Sequence, residues 1–427
     1  MNTNKAKAPS ASRSKIHMPA GYPRLARSLM MSAPGLGLIL CVAALLAACA
    51  TPVREPMGQG APAATVPLSP SAPSADGVPM GERAERNAAV WVRVAWDDLP
   101  GFQDDPVGEV LAAVRHGCPR APAAWRVACE QALRLDPRDH QSVRLWMLQH
   151  LRPWRVEDRG GSREGLLTGY YEPHFEARRE PNTEFRVAIH RPPADLAQRR
   201  PYWTRQQLDT VREAREALKG REVAYLRDPI DLLVLQIQGS GRLTITEPDG
   251  RRQTVRLAFA AHNDHPYGSV GRWLIDQGHL SAAQASWPGI KDWMQRNPRR
   301  VQELMWKNPR VVFFKEEPLV NAEIGPRGAM GVPLTPQRSL AVDPRSVPYG
   351  TALWIQSDSP GSPSIRRAVV AQDTGSAITC AVRGDYFWGW GDEAGERAGR
   401  MKGRLQMWAL WPAGHRPPPL VQLCAWE

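Results

Sequence analysis

Cysteine is scarce, with six in 427 residues. No two are spaced Cys-x-x-Cys, which argues against a thiolate zinc site. No Gly-x-Ser-x-Gly elbow occurs, since Ser240 and Ser269 both miss the spacing a nucleophilic serine would need. A helical His-Glu-x-x-His is also lacking, so His262, Asp264 and His265 read as loop polars rather than metal ligands. Gly389-x-Gly391 has too little chain after it for a nucleotide-binding βαβ unit and its downstream acid. Internal repeats are missing. So is any acid in the first 48 residues.

That last absence directs attention to the N-terminus. Residues 1–48 carry Lys5, Lys7, Arg13, Lys15, Arg24 and Arg27, which supply half of the net charge of +12. The remainder is mildly basic, as suits a carboxylate-bearing polymer or an anionic envelope surface and gives no call for nucleic acid. After Arg27 an apolar run from Leu36 to Leu46 leads into Leu46-Ala47-Ala48-Cys49. The run is too short for a spanning helix and reads as a secretory h-region. Leu-Ala-Ala-Cys resembles the lipobox of bacterial lipoproteins, which implies lipidation of Cys49 after Sec-type export. Ala50 behind it implies an outer-membrane anchor facing the periplasm. With Cys41 and Cys49 set aside, Cys118, Cys129, Cys380 and Cys424 remain for an oxidising compartment. Their spacing favours Cys118–Cys129 and Cys380–Cys424.

Proline and tryptophan are abundant, at 40 and 16. Residues 49–87 are Pro/Ala/Ser-rich and read as a tether. Apolar periodicity then predicts helices around Val110–Val114, Trp125–Leu133 and Val143–Leu151. From Gly165 the texture turns to short β-leaning runs: Gly165–Tyr171, Phe185–Ile189, Leu232–Ile237, Leu243–Thr246 and, after the Pro248-Asp249-Gly250 turn, Thr254–Phe259. Helical pieces are expected at Arg205–Lys219, Val270–Gln277 and Ile290–Lys307. β texture resumes at Val311–Phe314, Ala352–Ile355, Ala368–Ala371 and Leu405–Leu410. The expected fold class is α+β, mainly β.

The densest cluster of unusual residues is Ala371-Gln-Asp373-Thr374-Gly375-Ser376-Ala377-Ile378, followed by Gly384-Asp385-Tyr386-Phe387-Trp388-Gly389-Trp390-Gly391. A β run ending in Asp-Thr-Gly places a carboxylate at a strand end, where it can meet a ligand. Trp388 and Trp390 offer flat faces for sugar rings. Asp373-Thr374-Gly375 also matches the aspartic-peptidase fingerprint, but that chemistry needs a second facing carboxylate, and no other Asp-Thr-Gly or Asp-Ser-Gly exists in the chain.

Residues from about Leu166 to Leu410 resemble the membrane-bound lytic murein transglycosylase A family. The resemblance rests on Leu167-Thr-Gly-Tyr-Tyr-Glu-Pro173, Ile237-Gln-Gly-Ser-Gly241, Tyr267-Gly-Ser-Val-Gly-Arg272 and Asn308-Pro-Arg-Val-Val-Phe-Phe314. Ala341-Val-Asp343, Val347-Pro-Tyr-Gly-Thr351, Asp373, Asp385 and Gly395-Glu-Arg-Ala-Gly399 extend it. It implies a double-psi β-barrel built from residues 88–174 and 318–427, the latter a domain named for three aspartates, with a second β domain at 175–317 inserted. It implies a glycan groove between them, lined by Thr168, Gly169, Tyr170 and Tyr171 on one wall and by Gln238, Gly239 and Ser240 on the other, with Thr374, Gly375 and Ser376 beside them. Asp385 would be the acid and then base, Asp373 its support, and Asp343 a structural residue. The implied reaction cleaves the MurNAc–GlcNAc bond of peptidoglycan with a 1,6-anhydro end and needs no cofactor or metal. Analogy adds a cell-wall synthesis complex as partner. The competing reading is a non-catalytic peptidoglycan-binding lipoprotein on the same barrel.

Overall fold

A computed structural model describes residues 77–358 and 363–418. The proposed leader, Cys49 and Cys424 lie outside the described residues. The first strand, β1 (Arg83–Glu85), falls within the stretch read as tether and pairs with β2 (Val90–Arg93). Its polar composition hid it, because a hairpin edge needs backbone partners rather than apolar side chains. Helices α1 (Leu111–Gly117), α2 (Arg126–Ala132) and α3 (His140–His150) follow. A Cys118–Cys129 disulfide closes the α1–α2 connection, with the Cα atoms 5.7 Å apart. Cys380 lies exposed. Strands β3 (Leu151–Glu157) and β4 (Gly165–Glu172) complete the N-terminal part.

Beyond Pro173 the chain builds a second sheet. Its strands are β5 (His174–Arg178), β6 (Val187–His190), β7 (Glu222–Leu226), β8 (Gly241–Thr246), β9 (Arg252–His262) and β10 (Val312–Pro318), in the order β10-β9-β8-β5-β7-β6. Six helices interrupt it: α4 (Arg205–Thr210), α5 (Arg212–Glu216), α6 (Pro229–Gln238), α7 (Val270–Asp276), α8 (Trp287–Arg296) and α9 (Val301–Trp306). Two of the expected helices are split, the first at the extended Val211 and the other at Asn297-Pro298, where the proline disfavours helical backbone in the residue before it.

The segment Leu232–Ile237, expected as β, lies in α6. The reason is at its ends. Asp228 accepts from the Ile230 N–H at 2.9 Å, Pro229 occupies the first turn, and Gly239 stops the helix at φ 79°. A continuous apolar run does not distinguish a buried helix from a buried strand, and here the caps decide.

The chain then returns through β11 (Ser339–Val342), β12 (Ala352–Ser357), β13 (Ile365–Asp373), β14 (Arg383–Trp390), α10 (Gly391–Arg400) and β15 (Lys402–Pro412). These strands and β4 close on one another in the order β15-β12-β13-β11-β14-β4, and β4 pairs back onto the start of β15. The pairs β11–β13 and β14–β4 are parallel. The outcome is an α+β protein with a double-psi barrel, extended by β3, β2 and β1 on one side. Its core holds Trp91, Trp154, Trp354 and Trp411, all fully buried.

Arg338, just before β11, is 1% exposed and forks onto Asp105 at 2.8 and 2.9 Å, with Glu109 also at 2.9 Å. This ties the N-terminal segment to the barrel. Removing one member strands a charge in the interior, at a cost of about 3–5 kcal/mol. Arg338→Met alone should therefore lose about that much in denaturant titrations. Pairing it with Asp105→Leu should recover most of the loss, and equal instability of the single and double variants would refute this account.

Candidate active site

Strand register brings the acidic residues together. Asp385 lies in mid-β14, opposite Ala341 on one side and Thr168 on the other. It is therefore a strand residue with fixed neighbours rather than a loop acid. Asp373 closes β13 and faces Ala341 across the parallel pair. Asp343 follows β11 directly.

The three carboxylates differ in their donors. Asp343 is 2% exposed and gripped by Arg345 at 2.7 and 3.0 Å, and it also accepts from the backbone N–H groups of Arg345 and Cys380. Burial alone would raise its pKa, but these partners together hold it below the ordinary carboxylate value. It does not line the cavities around Asp385 and braces the loop that carries Cys380.

Asp373 takes Tyr170 Oη at 2.9 Å on one oxygen, and the N–H groups of Ala329 and Thr374 at 2.8 and 2.9 Å on the other. Burial nevertheless leaves its pKa raised. These partners are a phenol and two amides, whereas the aspartic-peptidase reading needs a second carboxyl sharing a proton. Asp385 accepts a hydrogen bond from Thr168 Oγ1 at 2.6 Å. Withdrawal from water pushes its pKa up to about 6. The Thr168 bond and the Arg383 charge oppose that rise, and Asp373 adds slightly to it.

Around Asp385 opens a cavity of about 400 Å³ that includes Thr168, Gly169, Tyr170, Gln238 and Thr374 to Ile378. An adjoining cavity of about 630 Å³ is lined by Tyr170, Gln238, Gly239, Ser240, Thr374, Gly375 and Ser376, together with His262, Arg310 and Lys315. Gln238 at the end of α6 accepts from the Tyr171 N–H at 3.0 Å, joining the two walls. Gly169 is compulsory for packing, because a Cβ there would come within 2.9 Å of the Ala398 Cα on α10. Tyr171 packs on Gly395 of the same helix and opens into a separate cavity of about 230 Å³ that also borders Thr168.

Two sequence expectations fail here. Trp388 is 7% exposed and packs edge-on to Tyr386, so it belongs to the core rather than offering a face to sugar. Trp390 is covered by the Arg242 guanidinium, 4.2 Å from its ring. Tyr386 and Trp388 both join the main core, and alternation along the strand from Asp385 would have shown that Trp388 is out of phase with the acid, before the register shifts ahead of Trp390. The same rule would have found Arg383, two residues before Asp385 and on its face, which sequence reasoning missed.

Residues 166–315 match the MltA specific insert domain and residues 338–411 the 3D domain. The chain is 31% identical over 266 residues to membrane-bound lytic murein transglycosylase A of Escherichia coli, covering 60% of this chain and 68% of that one. A Burkholderia pseudomallei lytic transglycosylase, LtgG, aligns at 41% identity and TM-score 0.56 over 78% of this chain and 98% of its own. MltA from Neisseria gonorrhoeae aligns at 32% and 0.67 over 80% and 97%. An Escherichia coli MltA structure with bound chitohexaose aligns at 26% and 0.57 over 78% and 95%.

A carboxyl that is protonated when folded and would ionise near pH 4 when unfolded makes stability fall as pH rises from about 4 to 6, with the loss complete above that window. Asp385→Asn cannot ionise and can still accept from Thr168. The variant should be more stable than the parent by about 1–3 kcal/mol at pH 7.5, the larger figure discounted for partial solvent access. That gap should close below pH 4. Melting curves at both pH values test this, and a pH-independent gap would contradict it. The matched domains, the coverage of the relatives and the barrel geometry agree: the chain belongs to the membrane-bound lytic murein transglycosylase A family.

Proposed function

We propose that this chain cleaves the β-1,4 bond between MurNAc and GlcNAc in peptidoglycan with Asp385 as its one acid/base group, leaving a 1,6-anhydro-MurNAc end. The observation that carries this reading is a carboxyl with pKa near 6 in the groove, one of its oxygens held by Thr168. Glycosidases that use water require a second carboxyl as base or nucleophile. Asp373 is poorly suited to that task, with both oxygens already accepting hydrogen bonds.

An internal nucleophile removes the need for it. Asp385 gives its proton to the glycosidic oxygen, and the bond to C1 breaks as the sugar's own C6 hydroxyl attacks C1. The hydroxyl proton then passes to the Asp385 carboxylate, which restores the acid. Intramolecular attack carries an effective concentration that activated water does not reach. Asp373, with Tyr170, fixes the neighbouring wall and contributes negative charge toward the oxocarbenium-like sugar. Thr168, Gly169, Tyr170, Gln238, Gly239, Ser240 and Thr374 to Ser376 contact the glycan, in keeping with the chitohexaose found in the Escherichia coli relative.

Residues 50–427 incubated with purified sacculi should release anhydro-muropeptides detectable by mass spectrometry, and Asp385→Asn should release none while remaining folded. Turnover by the folded variant would move the acid elsewhere, first to Asp373. Silence of the parent chain would instead favour a binding protein.

The anchoring of the chain is also part of this proposal. No helix among the described residues is long and apolar enough to cross a membrane. Attachment to the outer membrane through lipidated Cys49 would hold the enzyme against the wall from the periplasmic side, where a synthesis complex could recruit it. Several acyl chains anchor stably where one does not. Cys49→Ala should therefore leave the membrane fraction for the soluble periplasm, and unchanged outer-membrane retention would point to another tether.

A further inference from the structure

The Arg383 side chain lies beside the acid on β14. Its Nη2 donates to Thr168 Oγ1 at 2.8 Å, and the Thr168 hydroxyl donates to Asp385 Oδ1 at 2.6 Å. Its Nη1 meanwhile holds the carbonyls of Leu166 and Gly384 at the β4–β14 seam. A hydroxyl can donate one proton and accept others, whereas a guanidinium only donates and stays charged at any accessible pH. With Arg383 present, Thr168 must accept from it and is left to donate to Asp385. Without Arg383 the hydroxyl could turn and accept the carboxylic proton from Oδ1, so that the acid would spend its proton on a neighbour.

We propose that Arg383 is a positioning residue that locks Thr168 as a donor to Oδ1 of Asp385 and so confines the transferable proton to Oδ2. This deepens the proposed function and rests on it. The relay is the same in both protonation states, since Oδ1 accepts whether the group is neutral or ionised, and only Oδ2 changes. The acid thus returns to its starting geometry after each turnover with no rotation of Thr168.

Several other charged and titratable groups lie around the relay, Tyr267 among them. Asp373 and Tyr170 bond to each other, and Asp343 is neutralised by Arg345. Cys380 lies toward Arg383, and Lys402 is the register partner of Thr168 on β15. Of the groups on α10, Arg397 pairs with Glu393 and Arg400 with Glu396, while Asp392 lines a cavity beside Tyr171. Arg310 lines the same cavity as Asp385. None of them hydrogen-bonds Thr168 Oγ1 in the way Arg383 does.

The test is a double-variant cycle on purified, uncross-linked glycan strands. Arg383→Gln should lower the low-pH plateau of kcat about tenfold, the worth of one hydrogen bond to a charged group, with KM within about twofold. Its alkaline limb should move up by roughly one pH unit, because losing a nearby cation favours the neutral acid. Arg383→Lys, still a pure donor, should keep most of the plateau. Thr168→Val should reproduce the plateau loss, and adding Arg383→Gln to it should cost less than about twofold more.

Additive losses or an unmoved limb would overturn the relay and leave Arg383 as a seam residue only. If Arg383→Gln does not fold, the Arg383→Lys and Thr168→Val arms still decide. An NMR titration of the Asp385 carboxyl without substrate separates the two layers of the argument. Its midpoint should rise in Arg383→Gln whether or not the parent chain cleaves glycan, whereas failure of the parent on glycan strands would count only against the proposed function.

Discussion

Everything in the groove depends on how the second sheet is fixed to the barrel, and that joint is a buried carboxylate shared by two arginines. Glu172, fully buried at the end of β4, takes Arg242 of β8 at 2.8 Å and Arg256 of β9 at 2.6 Å. Both guanidinium groups also reach the Ile324 carbonyl on the returning chain, and Arg242 stacks over Trp390 at the end of β14. One residue therefore connects the outgoing crossing, the returning crossing and the strand that carries the acid. Two buried cations against one carboxylate would be costly if left bare. The carbonyl and the indole face supply the missing negative potential. The geometry is also demanding, because a forked donor tolerates little rotation. A groove walled by two sheets keeps its width only if the joint between them does not turn.

Within that groove the fate of each aspartate follows from its donors. All three are withdrawn from water, which alone would push each toward the neutral form. Asp343 meets a guanidinium and two amides and is held ionised. Asp373 meets a phenol and two amides, too little to cancel the burial. Asp385 has a single hydroxyl donor and a cation one residue removed, and its pKa stays near 6. On the proposed reading, the carboxyl that gives the proton is the one with the fewest donors to its ionised form. Asp343 and Asp373 each meet three donor groups instead.

Much of this was legible in the sequence, and the remainder was not for identifiable reasons. Asp373 at a strand end followed from an apolar run meeting Asp-Thr-Gly, and the β4 strand followed from Gly165–Tyr171. The α+β class was readable from the mixture of textures. Helix α6 was not, because 232–237 is apolar except at Gln236 and buried over 233–235, so its periodicity carries little signal. Helix α10 escaped for the opposite reason. Its glycines and charges leave no apolar run to mark it, yet Gly395 and Ala398 are small so that the helix can lie on Tyr171 and Gly169. Arg383 went unnoticed because an arginine beside an aspartate is common, and its value lies in a threonine 215 positions away. Contacts of that range come from closure of the barrel, so alternation along β14 places Arg383 on the face of Asp385 but does not pair it with Thr168.

Closure also explains why the acid sits on a strand rather than on a loop. Asp385 is held between Thr168 of a parallel neighbour and Ala341 of an antiparallel one, so its backbone is bonded from both sides. The residue before it must be glycine for that seam to close. A Cβ on Gly384 would fall 3.1 to 3.2 Å from Leu167, Leu405 and Leu340, three fully buried side chains of three different strands. Those leucines cannot all give way in a close-packed interior. The barrel thus pays for its precision at Gly384 and gains it at Asp385, one residue on and on the opposite face. In the proposed mechanism a single carboxyl both gives and takes a proton, and it needs this rigidity more than a pair would, because no second group can compensate for a displacement.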